Sequence, residues 1–265
     1  KKENPCAVCT DALRPGSPNR RRNVSGLLRW KTDPEGPVHN ILIDCGKSFW
    51  EGALHHFPAH DVLGLDALFL THAHADQMGG LDDLRDITLR MTRGPLPFYV
   101  SAKDLEVVKR AFPYLFDGVS HARGGGVTNL QPSIFSSEPF QVEGLGFTPV
   151  PVWHGKDYLS HGFRFGPNLW LGDISAWPET TPWALAEGLE LLVLDALRPK
   201  PHPTHFHLEQ SLDFVRKARP KKTLLVDMTH DFEHEAVNRD LSAWGRAEGL
   251  DVQLAHDGLV VDLVF

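Results

Sequence analysis

Leu65-Asp-Ala-Leu-Phe-Leu-Thr-His-Ala-His-Ala-Asp-Gln77 is the stretch from which the fold follows. Leu65 to Leu70 reads as a buried strand, and it runs directly into His72, His74 and Asp76. Two histidines at alternate positions of an extended segment point the same way. A turn after them lets Asp76 approach from another side. Imidazole and carboxylate together suit zinc, manganese or iron. The competing reading of the same spacing is a polar loop with two solvated histidines.

Further along the chain, other ligand-type residues follow apparent strands. His154 ends Thr148-Pro-Val-Pro-Val-Trp153, and Asp173 follows Leu169-Trp-Leu171. His205 and His207 come after the apolar run Leu189 to Leu194, which closes at Asp195. Asp227, His230 and His234 follow Thr223 to Val226. Sites of layered α/β folds gather beyond strand ends, whereas chance would scatter histidines over helices and surfaces.

The remaining elements are read from periodicity and breakers. Residues 1–25 are polar and read as a loop. Gly26 to Trp30 and Val38 to Asp44 form a hairpin around Asp33-Pro-Glu-Gly-Pro37. Helices are expected over Phe49 to Phe57, Leu81 to Thr92, from Ser101 onward, over Leu208 to Ala218 and over Glu233 to Glu248. Residues 117–137 read as a long loop. Phe98 to Val100, Gln141-Val142, Phe147 to Val152, Ser160 to Phe165, Val252 to Ala255 and Leu259 to Val264 read as strands. Mixed strands and helices without a linker or repeat imply an α/β layered fold in one domain, 1–265.

The totals bound the function. The chain has 265 residues and a formal charge of −7. That acidity argues against a nucleic-acid partner, and no apolar run approaches the roughly 20 residues that span a bilayer. A small-molecule substrate is the expected partner, and a homodimer remains open. Three cysteines make no disulfide framework, which fits a reducing, cytoplasmic setting. The abrupt start leads to the expectation that an opening strand precedes Lys1.

The series His-x-His-x-Asp, a lone His, an Asp and a late ligand resembles the metallo-β-lactamase superfamily. More narrowly, the chain resembles the PhnP-type cyclic phosphodiesterases. The segments that carry this are Cys6-Ala-Val-Cys9, Asn19 to Ser25, Leu42-Ile-Asp-Cys-Gly46, Thr71 to Arg85, His154, Gly172-Asp173, Thr204-His-Phe-His207 and Met228 to His234. The resemblance implies a four-layer αββα sandwich. It implies a metal-dependent hydrolase, most simply one that cleaves a small, perhaps cyclic, phosphodiester through metal-bound hydroxide. A thioester or lactone hydrolase, a nuclease, or a non-catalytic metal-binding protein are the alternatives.

By that resemblance His72, His74, His154 and Asp173 hold one metal, and Asp173 bridges to a second held by Asp76 and Asp227. The family motif places a histidine at Gln77 and another at Asp227, so the second site is altered. One or two divalent metals (Zn, Mn or Fe) are expected. His205 matches a catalytic histidine outside the metal ligands, with Asp76 beside it in the reacting centre. Cys6, Cys9 and His230 match a structural zinc site whose further cysteine has no counterpart; Asn4 sits near its place. Asp44 is expected to accept the second N–H of a metal-bound histidine, or else to be a turn residue. Gln77, His207 and His234 are assigned to supporting or substrate-contacting places. Arg20, Arg21 and Arg22 read as a solvated loop or a phosphate clamp, and Cys45 as a buried thiol.

Overall fold

The computed structural model describes residues 6–91, 94–116 and 126–265. It comprises two compact units, Arg22–Gly146 and Lys1–Arg21 with Phe147–Phe265.

In the unit Arg22–Gly146, five strands follow the order β1-β2-β3-β4-β5: Gly26–Trp30, His39–Ile43, Ala67–Phe69, Leu96–Ser101 and Leu130–Phe135. β1 and β2 are antiparallel, and the other pairs are parallel. Every residue of β2 and β3 is buried, as expected of strands covered on both faces, whose sequences are apolar runs rather than alternations. Helices α2 (Phe49–His56), α3 (Ala75–Met78) and α4 (Ala102–Ala111) belong here. The core gathers Leu68, Leu70, Leu81, Leu84, Leu96, Phe98 and Val108. Ser101 caps α4, its hydroxyl oxygen accepting the Asp104 N–H at 3.1 Å. The Asp104 carboxylate in turn accepts the Ala73 N–H at 3.3 Å, so the cap of α4 holds the loop between the two histidines.

The second sheet has the order β12-β11-β10-β9-β8-β7-β6. Its strands are β6 (Phe140–Val142), β7 (Leu145–Trp153), β8 (Leu159–Phe165), β9 (Asn168–Leu171), β10 (Leu191–Asp195), β11 (Lys222–Val226) and β12 (Val252–Leu254). β7, β8 and β9 are antiparallel in sequence, whereas β9 to β12 run parallel. Leu171 is opposite Leu194, and Asp195 is opposite Val226. That register places Asp173, Asp195 and Asp227 along one sheet edge. β8 to β12, with α1 (Ala7–Asp11), α5 (Leu208–Ala218) and α6 (His234–Glu248), belong to the unit of Lys1–Arg21 with Phe147–Phe265. Its core includes Val150, Leu169, Leu192, Leu194, Phe214, Leu225 and Leu241.

Four expectations are corrected. Residues 1–25 contain the helix α1, because a helical turn is what brings Cys6 and Cys9, three residues apart, to one side. The loop expected over 117–137 contains β5, which gains its order from parallel pairing with β4; residues 117–125 lie outside the described set. The helix expected over Leu81 to Thr92 is a 3-10 turn at Leu81–Leu84 followed by a π-helical stretch, Ile87–Met91, with Thr92 outside the described residues. Leu259 to Val264 forms no strand: it has the alternation but no partner strand among the described residues, and Val260, Val264 and Phe265 are exposed.

Candidate functional site

In the unit Arg22–Gly146, the site is built on the loops after β2 and β3. Asp44 adopts φ 61°, a left-handed conformation costly for most residues but tolerated by Asp. Its buried carboxylate accepts the Thr71 N–H at 2.8 Å and the Thr71 hydroxyl at 2.8 Å. The Thr71 oxygen lies 3.1 Å from His72 Nδ1. With the hydroxyl proton directed to Asp44, that oxygen accepts from His72 Nδ1–H. Asp44 therefore supports His72 through Thr71, a residue to which the sequence assigned no role.

This tautomer leaves His72 Nε2 with a lone pair, 3.0 Å from His74 Nδ1. Bonds of about 2.0–2.1 Å to one cation separate neighbouring donors by roughly 3 Å or slightly more, so the pair fits a shared metal. Asp76 stands half-buried in the first turn of α3, just beyond His74. The loop is laced from below: Cys45 donates its N–H to the Gln77 carbonyl at 2.7 Å, and Gly80 donates to the Cys45 carbonyl at 2.8 Å. A Cβ on Gly46 would stand 1.9 Å from the Asp76 carbonyl oxygen, so only glycine permits this approach. Gln77 is buried beneath the loop. Cys45 is fully buried, and desolvation pushes its thiol well above the usual range, the mark of an inert core thiol.

In the other unit, His154 follows β7 and donates Nδ1–H to the Thr204 carbonyl at 2.7 Å. Its Nε2 is thereby left 3.7 Å from Asp173 Oδ2, with both side chains buried. One nitrogen and one carboxylate oxygen at this spacing also fit a single cation. His154, Asp173 and His205 each offer a donor atom within 4.8 Å of the others. The His205 ring stands 4.7 Å from that of His154, edge to face.

His205 Nδ1 lies 2.8 Å from Asp195 Oδ2 and 3.2 Å from Asp227 Oδ2. Asp195 is completely buried, and that desolvation pushes its carboxyl well above the usual range against the pull of the Ile174, Phe206 and Leu197 N–H groups. Asp195, like Thr71, is a residue that sequence reasoning missed. Its signal was present: a carboxylate ending an otherwise apolar strand, Leu191-Leu-Val-Leu-Asp195.

A third cluster joins the first segment of the chain to the end of β11. Cys9 Sγ lies 3.0 Å from His230 Nδ1, and Cys6 completes a group whose donor atoms lie within 4.8 Å of one another. Two thiols and an imidazole form a donor set suited to zinc. Asn4, the residue near the expected further ligand, lies outside the described residues.

The family model described as the β-lactamase superfamily domain matches residues 39–228. The structure is similar to the crystal structure of a diphosphatase from the PhnP family, with a TM-score of 0.81 and 32% identity, covering 99% of this chain and 92% of that one. The chain belongs to the PhnP family of the metallo-β-lactamase superfamily. It has that superfamily's fold, and the superfamily is one of hydrolases. Among curated proteins, an octanoyltransferase of Porphyromonas gingivalis is 31% identical over 191 residues, covering 72% of this chain. A ribonuclease Z of Marinobacter nauticus is 39% identical over 71 residues, covering 26% of this chain. The chain spans only 37% and 20% of the lengths of those two proteins.

The other residues singled out in the sequence have contacts of different kinds. His207 precedes α5, with its Nδ1 2.5 Å from Gln210 Oε1 and its N–H donated to the same oxygen, an arrangement that caps the helix. His234 is buried in the first turn of α6, 3.0 Å from Asn238 Nδ2, with its N–H donated to Asn19. Burial, reinforced by the nearby His256, lowers its proton affinity. Arg21 donates to the Thr229 and Phe232 carbonyls at 2.9 and 3.0 Å, and Arg22 pairs with Glu51 at 2.8 Å. These two arginines are structural ties rather than a solvated loop. Among the described residues no helix is long and apolar enough to cross a membrane.

Proposed function

We propose that this chain is a divalent-metal-dependent hydrolase of phosphoric diesters, with His72, His74, His154 and Asp173 holding one metal. Asp76 and Asp227 join Asp173 at a second, weaker position, and Cys6, Cys9 and His230 hold a separate structural zinc. When bound, the divalent ions supply positive charge to the phosphoryl oxygens and lower the pKa of a water.

The observation that carries the reading is His205. Its Nδ1 is held at 2.8 Å by Asp195 and 3.2 Å by Asp227, and its ring stands 4.7 Å from His154. An oxygen leaving from phosphorus needs a proton, and an imidazole whose Nδ1–H is held by carboxylates beside a metal ligand can take up a second proton at Nε2 and deliver it from there. A thiolate leaving from a thioester has no such need. The likeness over 99% of the chain to a diphosphatase supports the same choice of bond. Asp227 serves two purposes in this reading: one carboxylate oxygen steadies His205, and the other would help to hold the second metal. A carboxylate there, where an imidazole is usual, favours manganese or iron over zinc.

The test uses the metal-loaded protein with an aryl phosphodiester, a cyclic nucleotide, a diphosphate diester, a thioester and a lactone. Turnover of a phosphodiester is expected, falling about 10²–10⁴-fold in His205→Ala, with metal content unchanged. His72→Ala should lose metal as measured by elemental analysis. Thioester or lactone turnover without phosphodiester turnover would replace this reading with an acyl hydrolase.

A further inference from the structure

His154 and Asp173, which face each other across a gap fit for one cation, come from strands that are not neighbours. His154 follows β7 and Asp173 follows β9, with β8 between those strands. Hydrogen-bonded strands are spaced about 4.8 Å, so the ends of β7 and β9 stand about 10 Å apart. His154 Nε2 nevertheless lies 3.7 Å from Asp173 Oδ2. The chain after β9 closes that gap by crossing the end of the sheet at which β8 begins, where Trp153 is opposite Leu159. The crossing is held at Ser175.

Ser175 engages both residues that flank His154. Its N–H donates to the Trp153 carbonyl at 2.6 Å, and its hydroxyl donates to the same carbonyl at 3.1 Å. The hydroxyl oxygen accepts the Gly155 N–H at 2.9 Å. Trp153 in turn donates its N–H to the Ala176 carbonyl at 3.0 Å, an isolated antiparallel bridge. Any residue can make the backbone bonds of this tie, but the bond to Gly155 needs an oxygen on a short side chain. Gly155 has φ +92°, a conformation open to glycine, and a Cβ there would stand 3.0 Å from the Thr204 methyl. The Thr204 carbonyl accepts the His154 Nδ1–H at 2.7 Å. Ser175 therefore holds the His154 backbone on both sides, and it holds the turn that lies against the acceptor of the His154 ring.

We propose that Ser175 is a positioning residue whose hydroxyl sets the separation of His154 and Asp173, and so the fit of that pair to one cation. It stands two residues after Asp173 and binds both sides of His154, so it links the two ligands by the shortest path between their loops. The rest of the loop is tied to β7 independently. The Thr181 hydroxyl donates to the Pro151 carbonyl at 2.8 Å, and Trp177 Nε1–H donates to the Thr181 carbonyl at 2.8 Å. Loss of the Ser175 hydroxyl therefore acts locally, on the Gly155 turn and the imidazole before it. This inference rests on the proposed sharing of one metal by His154 and Asp173.

The test uses cobalt(II) as the probe, because its visible absorption reports the number and geometry of its donors. The part of the wild-type absorption that His154→Ala removes is the signal of this site. Ser175→Ala should shift that signal and weaken cobalt there about tenfold or more, the usual cost of losing a group that orients a ligand. Ser175→Thr, which keeps the hydroxyl, should restore both. Thr181→Val, which cuts the same loop from the same strand away from His154, should lower the thermal midpoint and leave signal and affinity unchanged. Absorption and affinity in Ser175→Ala equal to the wild type would overturn the inference, as would the same loss in Thr181→Val or no recovery in Ser175→Thr; the shared metal would stand in each case. If His154→Ala removes no absorption at all, the metal assignment itself fails, and the role of Ser175 fails with it.

Discussion

Replacing Asp195 with Asn tests the arrangement around His205 with the smallest change of shape. The wild-type carboxylate accepts the Ile174 N–H at 3.1 Å and the His205 Nδ1–H at 2.8 Å through the same oxygen, Oδ2. An asparagine oxygen can keep the Ile174 bond, but its amide group then faces His205 with N–H rather than with an acceptor. The imidazole then either puts its lone pair on Nδ1 or leans on Asp227 alone, and in both cases it loses the carboxylate charge that stabilises the doubly protonated ring from which Nε2 delivers its proton. The same kind of exchange in a serine-protease triad lowers kcat by about 10⁴; with Asp227 still 3.2 Å from Nδ1 as a second acceptor, a loss of roughly 10²–10³ is expected here.

Folding stability should respond differently to the same change. Complete burial opposes the charged form of Asp195, so a neutral isostere removes a desolvation cost while losing a bond worth about 1.5–3 kcal/mol. The two offset, and denaturant unfolding should place Asp195→Asn within about 1 kcal/mol of the parent. Asp195→Ala, which also strips the Ile174 N–H of its partner, should lose about 1–3 kcal/mol more. Steady-state kinetics beside urea unfolding reads both. Activity within threefold of the parent in Asp195→Asn would refute the claim that this carboxylate sustains His205 as the acid.

Three further outcomes are expected. Gly46→Ala places a Cβ 1.9 Å from the Asp76 carbonyl oxygen; it should lower stability by about 1–3 kcal/mol and loosen metal at the Asp76 position, measured by calorimetric unfolding and metal titration. Cys9→Ser should lower the thermal midpoint, and lower it more than it lowers kcat, because in the proposed zinc site the thiol and His230, 3.0 Å apart, would tie two segments distant in sequence; an unchanged midpoint in metal-replete buffer would remove the zinc assignment. Glu233 caps α6 with its carboxylate, and the Ala236 N–H followed by the Asn19 amide pulls its proton affinity down. A depressed carboxyl contributes stability above its unfolded pKa of about 4.3 and loses it as pH falls through the lower folded value. Glu233→Gln should therefore flatten the acid limb of the stability curve, measured by unfolding at stepped pH.

The extent to which the sequence announced this structure follows from how local each cause is. α5 matches its expected limits, Leu208 and Ala218, because every signal for it is local: an amphipathic run, His207 with Gln210 at one end and Arg219 in the left-handed region at the other. His72, His74, His154 and Asp173 stand out in the sequence as candidates because apolar runs end shortly before them. Asp195 does not, since it completes such a run and its role depends on His205, ten residues away on another segment. Thr71 was equally hidden: its function exists only because Asp44, 27 residues earlier, turns back to accept its hydroxyl. β5 needs β4 as a partner, and the tail after Leu259 has the alternation of a strand without one among the described residues. Patterns show what a segment can become, while pairing decides what it does.

The unit that contains Cys6 and Cys9 is assembled from Lys1–Arg21 and a segment that starts only at Phe147. During synthesis the first segment leaves the ribosome well over a hundred residues before any of its partners exists. At typical elongation rates of about 5–20 residues per second, that is a wait on the order of ten seconds. Over that interval Cys6 and Cys9 are exposed as two thiols three residues apart, open to oxidation or to capture by a stray metal. The polar character of the segment keeps it from aggregating while it waits, but nothing in it protects sulfur. Yield of correctly assembled protein should therefore depend on the redox state and zinc supply of the compartment in which the chain is made, even though the finished molecule holds those thiols against His230.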